Sequence, residues 1–246
     1  VGGSSGIGLA TARLLAAAGT PLLLVGRDYD KLLAAQTELK QLSGAGVEIA
    51  PVDLYDTQAV QAFISQLAAE SRHIQYLVNA AGYFKPVSFL DHSPADYAAQ
   101  MDINQAFFFI TQAVAKNMQS HGGGAIVNMA SVLGAVGFPG SVAYTAAKHG
   151  VIGLTRSLAL EIAKKPITVN AICPGFLDTP MTDHSIEVIA EKTGKTLEQA
   201  KAALEAMNPQ GRLIAPAEVT ATALWLCGPG SQGINGQAIS IAGGEI

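Results

Sequence analysis

The fold of this chain is indicated most directly by its opening residues, Val1-Gly2-Gly3-Ser4-Ser5-Gly6-Ile7-Gly8-Leu9-Ala10. Glycines at positions 2, 6 and 8 let the backbone turn tightly before a predicted helix that begins at Gly6. The free N–H groups of such a helix start favour a pyrophosphate. Because the spacing differs from the common G-x-G-x-x-G pattern, a simple tight turn is the alternative.

Short apolar runs alternate with longer amphipathic segments along the rest of the chain, which is typical of βαβ units and a parallel sheet. The predicted strands are Leu22–Val25, Val47–Val52, Tyr76–Asn79, Ala125–Met129, Thr168–Ile172 and Ala238–Ile241. The predicted helices are Gly6–Ala18, Tyr29–Leu42, Thr57–Ser71, Ala95–Gln119, Val142–Ala163 and Ala217–Leu226. The pattern predicts an α/β fold with a doubly wound, Rossmann-like parallel sheet, and residues 1–246 as a single domain.

Two regions depart from this alternation. Residues 176–212 form a long, more charged segment with a helical stretch near Leu197–Met207. We interpret this segment as a substrate lid, although an ordinary surface excursion is the alternative.

At the start of the chain, a glycine turn in this architecture would follow a strand. We therefore expect a first strand of roughly five to ten residues before Val1.

The composition argues against several classes of protein. Of 246 residues, 49% are apolar and 14% are charged, which does not fit a disordered chain. A net charge of −4 argues against nucleic acid as a partner, and two cysteines suggest neither disulfides nor a metal site. The uncharged segment Ser120–Ala147 contains glycines, Asn128 and Pro139, which argue against a membrane span. No signal peptide is visible, so we expect a cytoplasmic protein.

The end of the strand Leu22–Val25 bears on coenzyme preference. In dinucleotide-binding folds this strand end meets the adenosine ribose, where an acidic residue would select a free 2′-hydroxyl. Here Gly26 and Arg27 follow the strand, and a guanidinium suits a 2′-phosphate. NADP(H) is therefore favoured over NAD(H). Asp28 either pairs with Arg27 or caps the next helix.

A tyrosine and a lysine lie four residues apart at Tyr144 and Lys148. On a helix these side chains share a face, and a nearby ammonium would lower the pKa of the phenol. Tyr144 is thus a candidate general acid or base, and Ser131, just after a strand, could hold the same substrate oxygen. Each feature alone also fits a solvated helix face or a cap.

Taken together, these residues resemble the short-chain dehydrogenase/reductase family over essentially the whole chain. The matching positions are Gly2, Gly3, Ser4, Ser5, Gly6, Ile7, Gly8, Asp53, Asn79, Ala80, Ala81, Gly82, Asn104, Ser131, Tyr144, Lys148, Pro174, Gly175 and Thr179. The resemblance implies hydride transfer between a nicotinamide coenzyme and a carbonyl or secondary alcohol.

The resemblance also implies a role for each position. Tyr144 would exchange a proton with the substrate oxygen, Lys148 would assist it, Ser131 would orient that oxygen, and Asn104 would fix a water in a proton relay. The implied coenzyme residues are Gly2, Ser4, Ser5, Gly6, Ile7, Gly8, Arg27, Asp53, Leu54, Asn79, Ala80, Ala81, Gly82, Tyr144, Lys148, Pro174, Gly175 and Thr179.

The sequence also bears on the substrate and on possible partners. The lid resembles that of reductases acting on 3-oxoacyl, polyketide or small hydroxy-acid substrates. Its basic residues could meet an acyl carrier, although interleaved glutamates suggest a solvated, paired face: Lys192, Lys195, Lys201 and Arg212. Apolar residues could line a substrate pocket: Phe84, Val132, Phe138, Phe176 and Met181. Excess apolar surface on the helices Ala95–Gln119 and Val142–Ala163 predicts a homodimer or homotetramer.

The leading functional interpretation is an NADPH-dependent ketoreductase acting on a small or acyl-chain carbonyl. Three alternatives remain: an NAD-dependent hydroxy-acid or alcohol dehydrogenase of the same family, a sugar-nucleotide epimerase or dehydratase, and a coenzyme-binding regulator without catalysis. We expect His149 to point away from the site, and we consider His184 a candidate substrate contact in the lid.

Overall fold

The structure of the protein is a computed structural model that describes residues 1–44, 46–70 and 72–246. Its strands are β1 (Leu22–Gly26), β2 (Val47–Pro51), β3 (Tyr76–Asn79), β4 (Gly124–Met129), β5 (Ile167–Pro174) and β6 (Ala238–Ile241). Its helices are α1 (Gly6–Ala17), α2 (Tyr29–Ser43), α3 (Thr57–Ala69), α4 (Pro94–Ser120), α5 (Val142–Glu161), α6 (Pro180–Thr193), α7 (Leu197–Glu205) and α8 (Pro216–Cys227).

The predicted elements are confirmed, with ends that shift by one or two residues. The predicted end of the third helix, Ser71, lies outside the described residues, and α3 ends at Ala69. The sequence analysis missed α6 entirely. Its start signal was present, since Thr179 occupies the N-cap and Pro180 the first helical position, but its polar residues hid the helical period.

All strand pairs are parallel, and they form two sheets in the orders β1-β2 and β3-β4-β5-β6. Val1 and Gly2 connect the two sheets. Val1 N donates to the Val78 oxygen at 2.8 Å, Ala80 N donates to the Val1 oxygen at 2.9 Å, and Gly2 N donates to the Val25 oxygen at 2.7 Å. The glycine turn is therefore fixed at the carboxyl ends of β1 and β3.

A second, mostly apolar cavity of about 560 Å³ lies between β1 and β3, and Val1 is one of its walls. Leu23, Phe63, Leu77 and Ile110 are among its walls. The strand expected before Val1 stays a prediction.

Helices cover both faces of the sheets, as a doubly wound fold requires. On one face α1 packs against α2 and α8, and on the other α4 packs between α3 and α5. Val219 and Leu226 of α8 pack on Val127 and Ile172 of the sheet. On the opposite face, buried apolar residues of α3 and α4 meet the same strands. This double cover explains why the strands read as continuous apolar runs.

Side-chain caps define the first residues of three helices, α2, α3 and α4. The Asp28 carboxylate accepts from Lys31 N at 3.0 Å and so starts α2, and Asp56 starts α3 in the same way. Ser93 and Asp96 form a capping box at α4. Caps of this kind satisfy N–H groups that the helix leaves free.

The segment interpreted above as a lid contains α6 and α7 and has a small core of its own, and its role as a lid stays a prediction. Ile186 of α6 packs with Ala200 and Leu204 of α7. Its two ends are joined to each other, because Asp178 N donates to the Ile214 oxygen and Ile214 N donates to the Phe176 oxygen. Within residues 1–44, 46–70 and 72–246, no helix combines the length and apolar character that a membrane crossing needs.

Candidate active site

A cavity of about 440 Å³ lies at the carboxyl ends of β1 to β5, between the start of α1 and the lid. This is where ligands bind in open parallel sheets. It collects most of the predicted site residues: Gly2, Ser4, Ser5, Gly6, Ile7, Arg27, Asp53, Leu54, Ala80, Ala81, Gly82, Ser131, Tyr144, Lys148, Pro174, Gly175 and Thr179. Residues far apart in the chain thus form one surface.

The glycine turn has the shape needed to hold a diphosphate. Gly2 has a φ of +77°, and a Cβ there would lie 2.6 Å from Ala81 N, so only glycine fits. Gly6 has a φ of +51° and would meet nothing within 4 Å, which leaves open space above the start of α1. The Ser5 side chain does not cap α1, so the first N–H groups of that helix remain available to an anion.

The end of the cavity beside β1 and β2 carries two cations, Arg27 and Lys31, and two carboxylates, Asp28 and Asp53. Ser4 also lines the cavity. Asp28, whose role the sequence left open, caps α2 and lies 3.7 Å from Lys31 Nζ. Lys31 was not predicted as a site residue, although it lies only four residues after Arg27, which was predicted to contact the coenzyme.

The three central residues lie on two elements that meet behind the cavity. Ser131 follows β4, and Leu133 N donates to its Oγ at 3.2 Å. Tyr144 and Lys148 share a face of α5, with Lys148 Nζ 5.6 Å from the centre of the Tyr144 ring. Lys148 Nζ donates to the Met129 oxygen at 2.8 Å, which ties α5 to the end of β4.

Burial has the largest effect on the pKa values of both Tyr144 and Lys148. It raises the pKa of Tyr144 to about 12, and a hydrogen bond from the Ser131 side chain lowers that pKa only in part. Burial lowers the pKa of Lys148 to about 8, while the nearby Cys173 thiol raises it. The expectation that Lys148 lowers the Tyr144 pKa is not met here, because desolvation prevails and the ammonium binds the Met129 carbonyl. At neutral pH the phenol therefore carries its proton.

A glycine that the sequence analysis missed lets Ser131 approach α5. A Cβ on Gly134 would lie 2.8 Å from the Lys148 oxygen and 2.8 Å from the Ile152 side chain. The turn that contains Ser131 can therefore lie against α5 only if position 134 has no side chain.

Three predicted residues do not line the cavity, and their roles in the site stay predictions. Gly8 lies within α1, where a Cβ would collide with the Gly2 oxygen, so it supports the turn from behind. Asn79 is fully buried, and its Nδ2 donates to Thr111 Oγ1 and Asn128 Oδ1. Asn79 therefore braces the sheet against α4 and its side chain does not face the coenzyme groove.

Asn104 is the third residue off the cavity. Its Nδ2 donates to the Ala147 oxygen at 2.8 Å, in the turn of α5 that precedes Lys148. The side chain thus joins α4 to α5 and does not line the cavity.

The lid end of the cavity is apolar, as the sequence predicted. All five predicted pocket residues line it: Phe84, Val132, Phe138, Phe176 and Met181. The Phe84 ring meets the Tyr144 ring edge-on, with centroids 4.9 Å apart. Thr182 and Ser185 of α6 also line the cavity and were missed because α6 was missed.

The histidines and basic lid residues lie elsewhere. His149 is exposed and contacts the Thr145 oxygen, as expected, but His184 is largely exposed beside Glu187 and does not line the cavity. Arg212 forms a bidentate pair with Glu218. This glutamate lies outside residues 176–212, and the pairing expected within that segment is represented by Lys201 Nζ, which lies 3.9 Å from Glu205.

Comparison with known proteins indicates the family to which the chain belongs. Residues 1–245 match a family model described as Enoyl-(Acyl carrier protein) reductase. The chain is 33% identical to the 3-oxoacyl-[acyl-carrier-protein] reductase FabG of Chlamydia trachomatis, covering 99% of this chain and 94% of that protein. It is 34% identical to a D-beta-hydroxybutyrate dehydrogenase of Rhizobium meliloti, over 99% of this chain and 95% of that one.

Among solved structures, the chain is similar to a single-substitution variant of actinorhodin polyketide ketoreductase with NADPH. The TM-score is 0.93 at 32% identity, covering 99% of this chain and 94% of that one. The likeness therefore includes the lid as well as the sheet. From its motifs, its fold and these matches, the chain belongs to the short-chain dehydrogenase/reductase family and is an NAD(P)-dependent oxidoreductase.

Proposed function

We propose that this protein is an NADPH-dependent ketoreductase in which Tyr144 protonates the oxygen of the ketone. One observation carries the proposal most: Ser131, Tyr144 and Lys148 meet at the wall between the glycine turn and the apolar lid end of a single cavity. A ketone bound under the lid would face the phenol directly.

The choice of coenzyme rests on Arg27 and Lys31. Both line the cavity where the adenosine ribose would lie, and no acidic residue occupies the tip of β1, which is Gly26. Because Lys31 also lies 3.7 Å from Asp28, the Arg27 guanidinium would be the main partner of a 2′-phosphate. The open groove over α1 suits the diphosphate, and Thr179, whose side chain does not cap α6, is free to hold the nicotinamide amide. Bound there, NADPH would supply the hydride.

The proton is supplied by the protein. With a pKa of about 12, the Tyr144 phenol is protonated and can act as a general acid at neutral pH. In this proposal Ser131 would donate to the same oxygen and orient the carbonyl. The charged Lys148 stabilises the phenolate that remains after the proton has moved.

We assign Asn104 a positioning role. Through the Ala147 oxygen it fixes the turn of α5 that carries both Tyr144 and Lys148. A water held nearby in a relay to Lys148 remains part of the proposal.

Assembly into a homodimer or homotetramer is also proposed. Phe108 of α4 and Leu160 of α5 are exposed at 48% and 81%, which is costly for large apolar side chains in water. Light scattering at micromolar concentration should find more than one subunit, and a monomer would remove this part of the proposal.

The activity is tested by following the absorbance of reduced nicotinamide. We expect NADPH oxidation with neutral ketones and 3-oxoacyl esters, and slower oxidation of NADH. Preference for NADH with hydroxy acids would favour the dehydrogenase alternative. Coenzyme binding without turnover of any substrate would favour the regulator.

A further inference from the structure

The aromatic lid end of the cavity bears on which ketones the site accepts. Phe84, Phe138 and Phe176 contribute rings from three different segments, and Met181 adds a flexible apolar side chain. Phe84 lies edge-on to Tyr144, so the apolar wall begins directly at the phenol. Groups attached to the carbonyl would therefore lie against rings.

Charge is distributed very unevenly along the same cavity. Among the described residues that line it, the charged ones are Arg27, Asp28, Lys31, Asp53 and Lys148. The first four lie at the ends of β1 and β2, and the Lys148 ammonium is held by the Met129 oxygen. The described lining residues of the lid include no lysine, arginine or histidine.

The start of α6 supplies no cation, and the Met181 N–H is the one backbone donor of its first turn that has no acceptor among the described residues. Pro180 has no N–H, and the N–H groups of Thr182 and Asp183 already donate to the Thr179 oxygen at 2.9 and 3.0 Å. The Ser185 hydroxyl donates to the Met181 oxygen at 3.0 Å. These backbone and hydroxyl donors are thus occupied within the helix.

We infer that the substrate is a neutral ketone whose carbonyl carries an apolar, preferably ring-bearing, group and no free carboxylate beside it. This inference rests on the proposed function and narrows it. A free carboxylate at the lid end would lose much of its hydration without gaining a cationic partner, whereas an ester, a thioester or a cyclic ketone has no charge to desolvate. The site therefore disfavours free 3-oxo acids.

Matched substrates test the inference directly. Acetoacetate and ethyl acetoacetate present the same carbonyl and differ in charge, as do benzoylacetate and ethyl benzoylacetate. We expect kcat/KM for each ester to exceed that of its acid by at least about 100-fold. The benzoyl ester should exceed the acetyl ester by about tenfold. An acid reduced as well as its ester would overturn the inference.

A pair of variants tests the cause. Met181 lines the cavity and is 43% exposed, so a longer polar side chain can be accommodated there. Met181→Arg should raise kcat/KM for acetoacetate relative to its ester by about tenfold, because it adds the missing cation. Met181→Gln, of similar length but uncharged, should leave the ratio unchanged. Equal ratios in both variants would contradict a role for charge.

A binding measurement separates this inference from the proposed reaction. The Tyr144→Phe variant saturated with NADPH is titrated with ethyl benzoylacetate and with benzoylacetate, and the fluorescence of the coenzyme is followed. Preferential binding of the ester supports the inference even if the wild type oxidises NADPH with neither compound, in which case only the reaction fails. Binding of the acid within about threefold of the ester would overturn the inference.

Discussion

The coenzyme half of the cavity and the lid are built in different ways. In the coenzyme half, backbone segments approach so closely that Gly2 and Gly8 cannot carry a side chain. The lid instead packs its own small core around Ile186 and Leu204 and is joined at its ends by the bridge between Leu177 and Ile214. The first region has no room for a side chain at these two positions, whereas the second rests on apolar contacts of its own. We therefore expect changes in the coenzyme half to affect coenzyme and stability, and changes in the lid to affect substrate.

The largest effect should come from the residue between the two halves. Tyr144→Phe removes the proton donor and should lower kcat by about 1000-fold, with the NADPH dissociation constant nearly unchanged. Tyr83→Phe, a matched change in the same cavity, should keep most of the activity. Near-normal turnover of the Tyr144 variant would remove Tyr144 from the reaction.

Coenzyme preference should follow the tip of β1. Gly26→Asp places a carboxylate where the 2′-phosphate would lie, and the ratio of kcat/KM for NADPH to that for NADH should fall roughly 100-fold. Gly26→Asn has the same size without the charge and should change the ratio far less. If both variants behave alike, shape and not charge sets the preference.

Two helical glycines allow the closely packed coenzyme half to be compared with an open helix surface. Gly8→Ala would bring a Cβ against the Gly2 oxygen, and should lower the free energy of unfolding by about 1–3 kcal/mol and weaken NADPH binding. Gly153 lies within α5 and would meet nothing within 4 Å, so Gly153→Ala should stabilise the protein by about 0.5–1 kcal/mol. Equal melting temperatures for the two variants would contradict the close approach.

The pH dependence of reduction should report Lys148. Its pKa of about 8 lies below that of a free lysine, so the ammonium is present below pH 8 and is lost as the pH rises through that value. We expect kcat/KM to fall about tenfold per pH unit above 8. The Tyr144 phenol, with a pKa of about 12, should add no second decline below that pH. A flat profile to pH 10 would contradict this assignment.

The smallest effect concerns the link between the chain end and the lid. A Cβ on Gly243 would collide with Asn208 Oδ1, and Asn208 Nδ2 closes the turn to the Arg212 oxygen. Gly211 has a similar φ, +67° against +63°, but would meet nothing within 4 Å. Gly243→Ala should raise KM for the ketone about threefold more than Gly211→Ala, with similar kcat. Equal KM values would show that this contact does not position the lid.

The difference between the closely packed coenzyme half and the lid also explains which parts of the structure could be predicted from the sequence. The glycine turn and the Tyr144–Lys148 pair were predictable because backbone geometry or chemistry allows few other residues there. The helix α6 was not predicted, because its polar residues hide the helical period even though Thr179 and Pro180 mark its start. The direction of the Asn79 side chain depends on its register in the sheet, and the Tyr144 pKa depends on burial, neither of which is visible in a linear pattern.

The central claim is that a hydride from NADPH bound at the glycine turn reaches a ketone held under the lid. It is tested most directly with coenzyme carrying deuterium at the transferred C4 position and ethyl benzoylacetate as substrate. Mass spectrometry of the product should find the deuterium on the carbinol carbon with the wild-type enzyme, and the same labelled product should form about 1000-fold more slowly with Tyr144→Phe. Unlabelled alcohol, or no alcohol from any neutral ketone, would contradict the account.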